Sequence, residues 1–150
     1  MRVNESTDRT DALDAPRGPD PGAAAGPCRP CDVRRAVLRA VTGRCGGGGP
    51  PYDEEALGDA LLVASELATN AILHGGGVTA YAVELDGPAV RVSVSDRSDR
   101  LPVVAHPLDE HGWTRSGGRG WPIVCRLARD VSVSGLPSGG KRITAVVPVF

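Results

Sequence analysis

Net charge is almost absent from this sequence: 17 Lys and Arg stand against 18 Asp and Glu in 150 residues, a formal −1 at pH 7. No overall basic field therefore points to a nucleic acid or to an anionic membrane surface as partner. Lysine is nearly missing too, with Lys141 the single example, so the positive charge is arginine. No apolar run approaches the roughly 18 to 20 residues of a membrane span, and the first residues lack the apolar stretch of a signal peptide. A cytoplasmic location is expected from these absences. No internal repeat is visible. The length suits one domain with a real core rather than two.

Cysteine is sparse as well. Cys28 and Cys31 have the spacing of half a zinc site, but no second Cys pair or paired histidines follow them. Cys45 and Cys125 stand alone, the latter in an apolar helical pattern where a buried thiol is ordinary. Reduced, unligated cysteines are the expectation, with a metal or redox role for Cys28 and Cys31 left open.

Large apolar side chains are scarce over residues 1–30, a stretch rich in Asp, Arg, Pro, Gly and Ser/Thr. Such a segment cannot bury enough surface to offset its ordering entropy and reads as a disordered tail, leaving residues 31–150 as the folded domain. From Asp32, read as an N-cap, Val33, Ala36, Val37, Ala40 and Val41 recur at helical spacing until Gly43 and the glycines 46–49. A second helix starts near Asp53 with Glu54 and Glu55 in its first turn. Leu57, Leu61, Ala64, Leu67, Ala68 and Ala71 form its apolar stripe, and Gly75 to Gly77 stop it. Val78 to Leu85 and Ala89 to Ser95 read as strands joined by a hairpin turn at Asp86-Gly87-Pro88. Residues 97–118 are polar, contain Gly and Pro, and are long for a connection, a pattern that is usually functional or disordered. Trp121 to Arg129 reads as a third helix, followed by strands at 131–133 and 143–149. The order α, α, β, β, loop, α, β, β predicts an α+β two-layer sandwich, a mixed, mainly antiparallel sheet with helices on one face.

Three features carry chemistry. Glu66, Asn70 and His74 are spaced four apart on one side of the second helix, beside its apolar stripe. The spacing alone equally describes a polar face with a Glu–Asn hydrogen bond, yet Asn is a poor mid-helix residue, because its side chain competes for backbone hydrogen bonds. Gly117, Gly118 and Gly120 precede the third helix, where backbone N–H groups and the helix dipole favour an anion; a helix cap or the end of a flexible lid would use the same glycines. Asp96 ends a strand, placed either to form a turn or to accept a hydrogen bond from an exocyclic amine.

In this order and at these distances, the features resemble the GHKL ATP-binding superfamily, which includes gyrase, Hsp90, histidine kinases and MutL-type proteins. The likeness is strongest to the anti-sigma-factor serine/threonine kinases and related small regulators of actinobacteria, and covers about residues 32–149. Glu66 to Gly75 looks like the N box, Val94-Ser95-Asp96 the start of the G1 box, Gly118 to Val124 the G2 box, and Gly139-Gly140-Lys141 the Gly-rich hairpin before the last strand. The resemblance implies a Bergerat-type fold and the cofactors ATP and Mg²⁺. It makes Glu66 the general base of phosphoryl transfer and Asn70 a Mg²⁺ ligand. It gives Asp96 the adenine amino group and Gly118 and Gly120 the phosphates, under a lid formed by residues 97–118. Arg119 would add charge there or stand solvated beside the turn. His74 would cap its helix.

The sequence departs from the family pattern in three places. The glycines of Asp-x-Gly-x-Gly are replaced by Ser98 and Arg100. Arg142 stands where a threonine often follows the Gly-Gly-Lys, with Thr144, expected on the adenine side, two residues on. Pro122 is unusual but tolerated in a first helical turn. The function implied is an anti-sigma factor that binds a sigma factor and phosphorylates a serine or threonine of an anti-anti-sigma (STAS-type) partner, with homodimerisation left open. The alternative is a non-catalytic protein-binding regulator with a degenerate nucleotide site. A detached histidine-kinase catalytic domain stands behind both, because the N box reads closer to the serine-kinase group.

Overall fold

The computed structural model describes residues 3–7, 28–49, 51–101 and 120–150. The first strand, β1 (Val3–Thr7), is followed by helices α1 (Pro30–Gly46) and α2 (Glu54–His74), then strands β2 (Val78–Asp86) and β3 (Ala89–Asp96). Helix α3 (Gly120–Leu127) and strands β4 (Asp130–Gly135) and β5 (Lys141–Pro148) complete the order. The strands make one sheet, β1-β4-β5-β3-β2, antiparallel except where β1 runs parallel to β4. The α+β, mainly antiparallel fold expected from the sequence is the one observed.

Helix α1 differs from expectation at both ends. It begins three residues earlier than expected, at Pro30 with Arg29 as N-cap, because proline's fixed φ suits the first helical position. Asp32 is therefore not the N-cap. It lies inside the first turn, where its Oδ2 accepts the Arg29 backbone N–H at 2.8 Å. That bond, more than the nearby Arg29 and Arg35 charges, holds the Asp32 carboxyl below its ordinary pKa. The helix also continues through Gly43 to Gly46. A single helical glycine costs only about 1 kcal/mol, and the last turn is anchored by Arg44. This arginine donates to the Gly87 carbonyl and lies over the Phe150 ring, 4.5 Å from its centroid. Helix α2 starts as expected, with the Asp53 side chain accepting the Ala56 N–H at 2.9 Å.

The tail expected over residues 1–30 contains the strand Val3–Thr7, paired from Val3↔Val131 to Thr7↔Gly135. Its backbone adds to the free edge of β4, a gain of ladder hydrogen bonds that a composition argument about apolar burial does not register. Residues 8–27 lie outside the described residues.

Valine dominates the sheet's core face. Val90, Val92 and Val94 of β3 alternate inward beside Val147, Ala145 and Ile143 of β5, which they oppose in register. Helix α2 covers β3 and β5 with Leu57, Ala60, Val63, Ala64, Leu67, Ala68 and Ala71. Helix α1 packs Val33, Val37 and Val41 against α2 and the β2–β3 side, and α3 packs on α2. The small side chains of α2 let the helix sit close to the sheet. They also raise its mean hydropathy to 1.4 over an 18-residue window, so by length and composition this helix is apolar enough to span a membrane, contrary to the sequence expectation. In the fold its apolar stripe is spent on the core.

The opposite face of the sheet is polar. Ser93 and Thr144 share a hydrogen bond of 2.9 Å there, and Arg91 pairs with Asp86 at 2.8 Å near the hairpin turn.

Candidate functional site

The site is built where the C-terminus of α2 meets the end of β3. Helix α2 stops at Gly75, whose N–H still reaches the Ala71 carbonyl at 2.9 Å, and the chain turns through Gly76 and Gly77 with φ of 77° and 108°. Only glycine enters this left-handed region at little cost. The turn is fastened to β3 twice. Arg97 N–H donates to the Gly75 carbonyl at 2.9 Å, and Arg97 Nη1 to the Gly76 carbonyl at 2.8 Å. The N-box helix and the G1 strand thus form one rigid corner.

Asp96 fills that corner. Its side chain is 2 % exposed and opposes Lys141 at the start of β5. Lys141 Nζ donates to Asp96 Oδ2 at 2.9 Å and to Oδ1 at 3.0 Å, while Oδ1 also accepts the Ser98 N–H at 2.8 Å. The third donor of the ammonium is 3.4 Å from the Ser98 carbonyl. Two glycines make room for this pair. A Cβ on Gly75 would collide with the Asp96 carboxyl group, and one on Gly140, where φ is 89°, would collide with the Asp96 carbonyl oxygen. The Gly140 N–H donates to Asp99 Oδ1 at 2.8 Å, drawing the stretch after β3 onto the β4–β5 turn.

The replaced G1 glycines have a local explanation. Ser98 takes its place in an Asx-type turn on Asp96, and its own Oγ accepts the Arg100 N–H at 3.1 Å. Among the described residues no non-glycine has positive φ, so neither Ser98 nor Arg100 carries backbone strain.

Glu66 and Asn70 are both half-buried on α2, flanking the stripe that packs on the sheet. At 1.5 Å rise per residue they stand about 6 Å apart along the axis, with Asn70 about 7 Å before Gly75. Glu66 stands a further turn back along the same helix. His74, one turn further on, is exposed. Among the described residues no three His, Cys, Asp or Glu side chains cluster as a metal cage. A site with one amide oxygen suits Mg²⁺, which keeps water and phosphate ligands and needs few from protein.

Thr144 is not where it was expected. Strand residues alternate faces, so Thr144, three positions from Lys141, points to the open face of the sheet and bonds Ser93. It does not join the Asp96 corner; Lys141 stands there instead. Gly118 and Arg119, and the lid expected over 97–118 beyond Leu101, lie outside the described residues. Gly120 is the first residue of α3, with Trp121 buried just after it.

All four cysteines are free thiols. Burial, then the charge of Asp32 and then Cys31, pushes the Cys28 thiol up to about 11. It is protonated at neutral pH and is a poor nucleophile.

The sequence reading missed Lys141 as a partner of Asp96 and Gly75 as its seat. One signal was available: Lys141 is the only lysine of the chain, next to two glycines. The packing at Gly75 leads to a prediction. Gly75→Ala forces its methyl into the Asp96 carboxyl group and is expected to cost about 1 to 3 kcal/mol in a urea melt. Gly58→Ala, on an exposed turn of α2 with open space around it, should instead add about 0.5 to 1 kcal/mol.

The model of the histidine kinase-like ATPase domain matches residues 29–147. The chain belongs to the histidine kinase-like ATPase family, and its α+β fold is of the Bergerat type. No curated protein matches the chain. Domains of this family bind ATP, generally with Mg²⁺.

Proposed function

We propose that this protein is an ATP-dependent regulator of transcription: an anti-sigma factor that binds a sigma factor and transfers phosphate to a serine or threonine of an anti-anti-sigma, STAS-type partner in the cytoplasm. The observation that supports the proposal is that Glu66 and Asn70 are both half-buried one turn apart on α2, the helix whose last residue is followed by the Gly75 seat of Asp96. A nucleotide-binding module needs Asn70 alone; a phosphotransferase needs both.

The residues fit the chemistry. The Asn70 amide oxygen is a hard ligand of the kind Mg²⁺ takes, and the metal when bound neutralises charge on the phosphate oxygens. The Glu66 carboxylate, one turn nearer the helix start, is assigned as the base that accepts the proton of an attacking hydroxyl. The hydroxyl oxygen bonds to the γ-phosphorus as the bond to the β–γ bridging oxygen breaks, and ADP leaves. The N–H groups of Gly118 and Gly120, with Arg119, are assigned to the phosphates on the family resemblance.

Incubation with γ-labelled ATP, Mg²⁺ and a STAS-type partner tests the proposal. Label on the partner is expected, and none on any candidate partner would refute the kinase assignment. Asn70→Ala should abolish the rise in melting temperature that Mg²⁺–ATP gives the wild type, about 2.7 kcal/mol of stabilisation at a hundredfold excess over Kd. An undiminished rise would remove Asn70 from the site.

One observation favours the second reading, a protein-binding regulator with a degenerate nucleotide site. The Asp96 carboxylate is already engaged by Lys141. A wild-type melting temperature indifferent to Mg²⁺–ATP would decide for it.

A further inference from the structure

The Lys141 side of the Asp96–Lys141 pair is complete, and the Asp96 side nearly so. The ammonium has three donors, and all three have acceptors: both Asp96 oxygens and the Ser98 carbonyl. The carboxylate offers about four lone-pair sites, of which three are used by Lys141 and the Ser98 N–H. Its charge is compensated at 2.9 Å, and both side chains are almost wholly buried. Gly75 and Gly140 close on Asp96 from two sides and fix it in this arrangement.

A site selects a base when one of its buried polar groups stays unpaired without that base. Where the site must hydrogen-bond a substrate group, analogues lacking the group are rejected by about 10⁴ to 10⁵. A carboxylate already paired loses nothing when the amine is absent, and gains little when it is present.

We infer that Lys141 is a specificity-determining residue: by holding the Asp96 carboxylate it silences the reading of the purine's exocyclic group, and the site takes purine nucleoside triphosphates through their phosphates with little choice between adenine and guanine. This rests on the proposal that the chain binds a nucleotide.

Calorimetric titration of the full chain with Mg²⁺–ATP and with Mg²⁺–GTP tests it. The two Kd values are expected to lie within about tenfold of each other. Lys141→Gln and Lys141→Met, which release the carboxylate, should each widen the preference for ATP by at least about tenfold. A wild-type preference for ATP beyond tenfold, or a ratio unchanged in the folded variants, overturns the inference while leaving nucleotide binding intact. Binding of neither nucleotide overturns the proposed function, and the inference with it.

Should the variants not fold, the wild type still decides. Lys141 is the only lysine, so an amine-acylating reagent followed by peptide mapping reports on it alone, apart from the N-terminus. Lys141 is expected to stay unmodified with and without saturating ATP. Acylation that appears on ATP binding would show the base displacing Lys141, contrary to the inference.

Discussion

Glu66→Gln is expected to lower phosphate transfer by about 10² to 10⁴ while leaving Mg²⁺–ATP affinity within about twofold of the wild type. The substitution keeps the size and hydrogen-bonding reach of the side chain and removes only its ability to take a proton. Position makes the separation clean. Glu66 is half-buried on the same side of α2 as Asn70, one turn away, and neither contributes to the fully buried stripe of Leu67, Ala68 and Ala71. Losing the carboxylate should therefore disturb neither the packing nor the metal ligand. Single-turnover transfer to the partner, alongside a binding titration, reads both quantities. Transfer at the wild-type rate, or parallel loss of transfer and binding, would contradict the assignment of Glu66 as general base.

The second large effect is on stability. Asp96→Ala is expected to destabilise the fold by about 3 to 5 kcal/mol, because it strands the Lys141 ammonium in an almost wholly buried position. For a domain of this size that is a fall in Tm on the order of 10 °C or more. The double variant Asp96→Leu with Lys141→Met should recover most of the loss, since an apolar pair of similar volume needs no compensating charge. Thermal melts of Asp96→Leu, of Lys141→Met and of the double form a cycle in which strong coupling is the expected result. A Tm for Asp96→Ala within a few degrees of wild type would show that Lys141 finds other partners or solvent. The pair would then not be the structural unit described.

Much of the fold was legible because its signals are local and periodic. The apolar stripe of α2 and its stop at Gly75 follow from helix geometry, and the β2–β3 hairpin follows from Asp86-Gly87-Pro88 between two alternating runs. The errors have physical causes of a different kind. Asp32 and Pro30 are both good helix-start residues, and local preference alone could not say that the proline takes the first turn. The strand at Val3–Thr7 is held by ladder hydrogen bonds to β4, which are non-local and invisible to composition. Thr144 was assigned by its distance from a motif, whereas the two-residue period of a strand puts it on the far face.

At the site, Glu66, Asn70 and Asp96 were singled out from spacing and order, and the structure brings Asp96 against the end of the helix that carries the other two. What spacing could not show is who holds Asp96. Lys141 lies 45 residues away in the chain, and their meeting depends on the register of β3 with β5. The same register, which pairs Asp96 with Lys141, brings the Asp96 carbonyl so close to Gly140 that a Cβ there would collide with it.

The most direct test of the central claim is a calorimetric titration of the full chain with ATP, with and without Mg²⁺. One saturable site per chain that requires Mg²⁺ and is lost in Asn70→Ala is the expected result. Absence of binding in the wild type, or binding unaffected by Asn70→Ala, would contradict it.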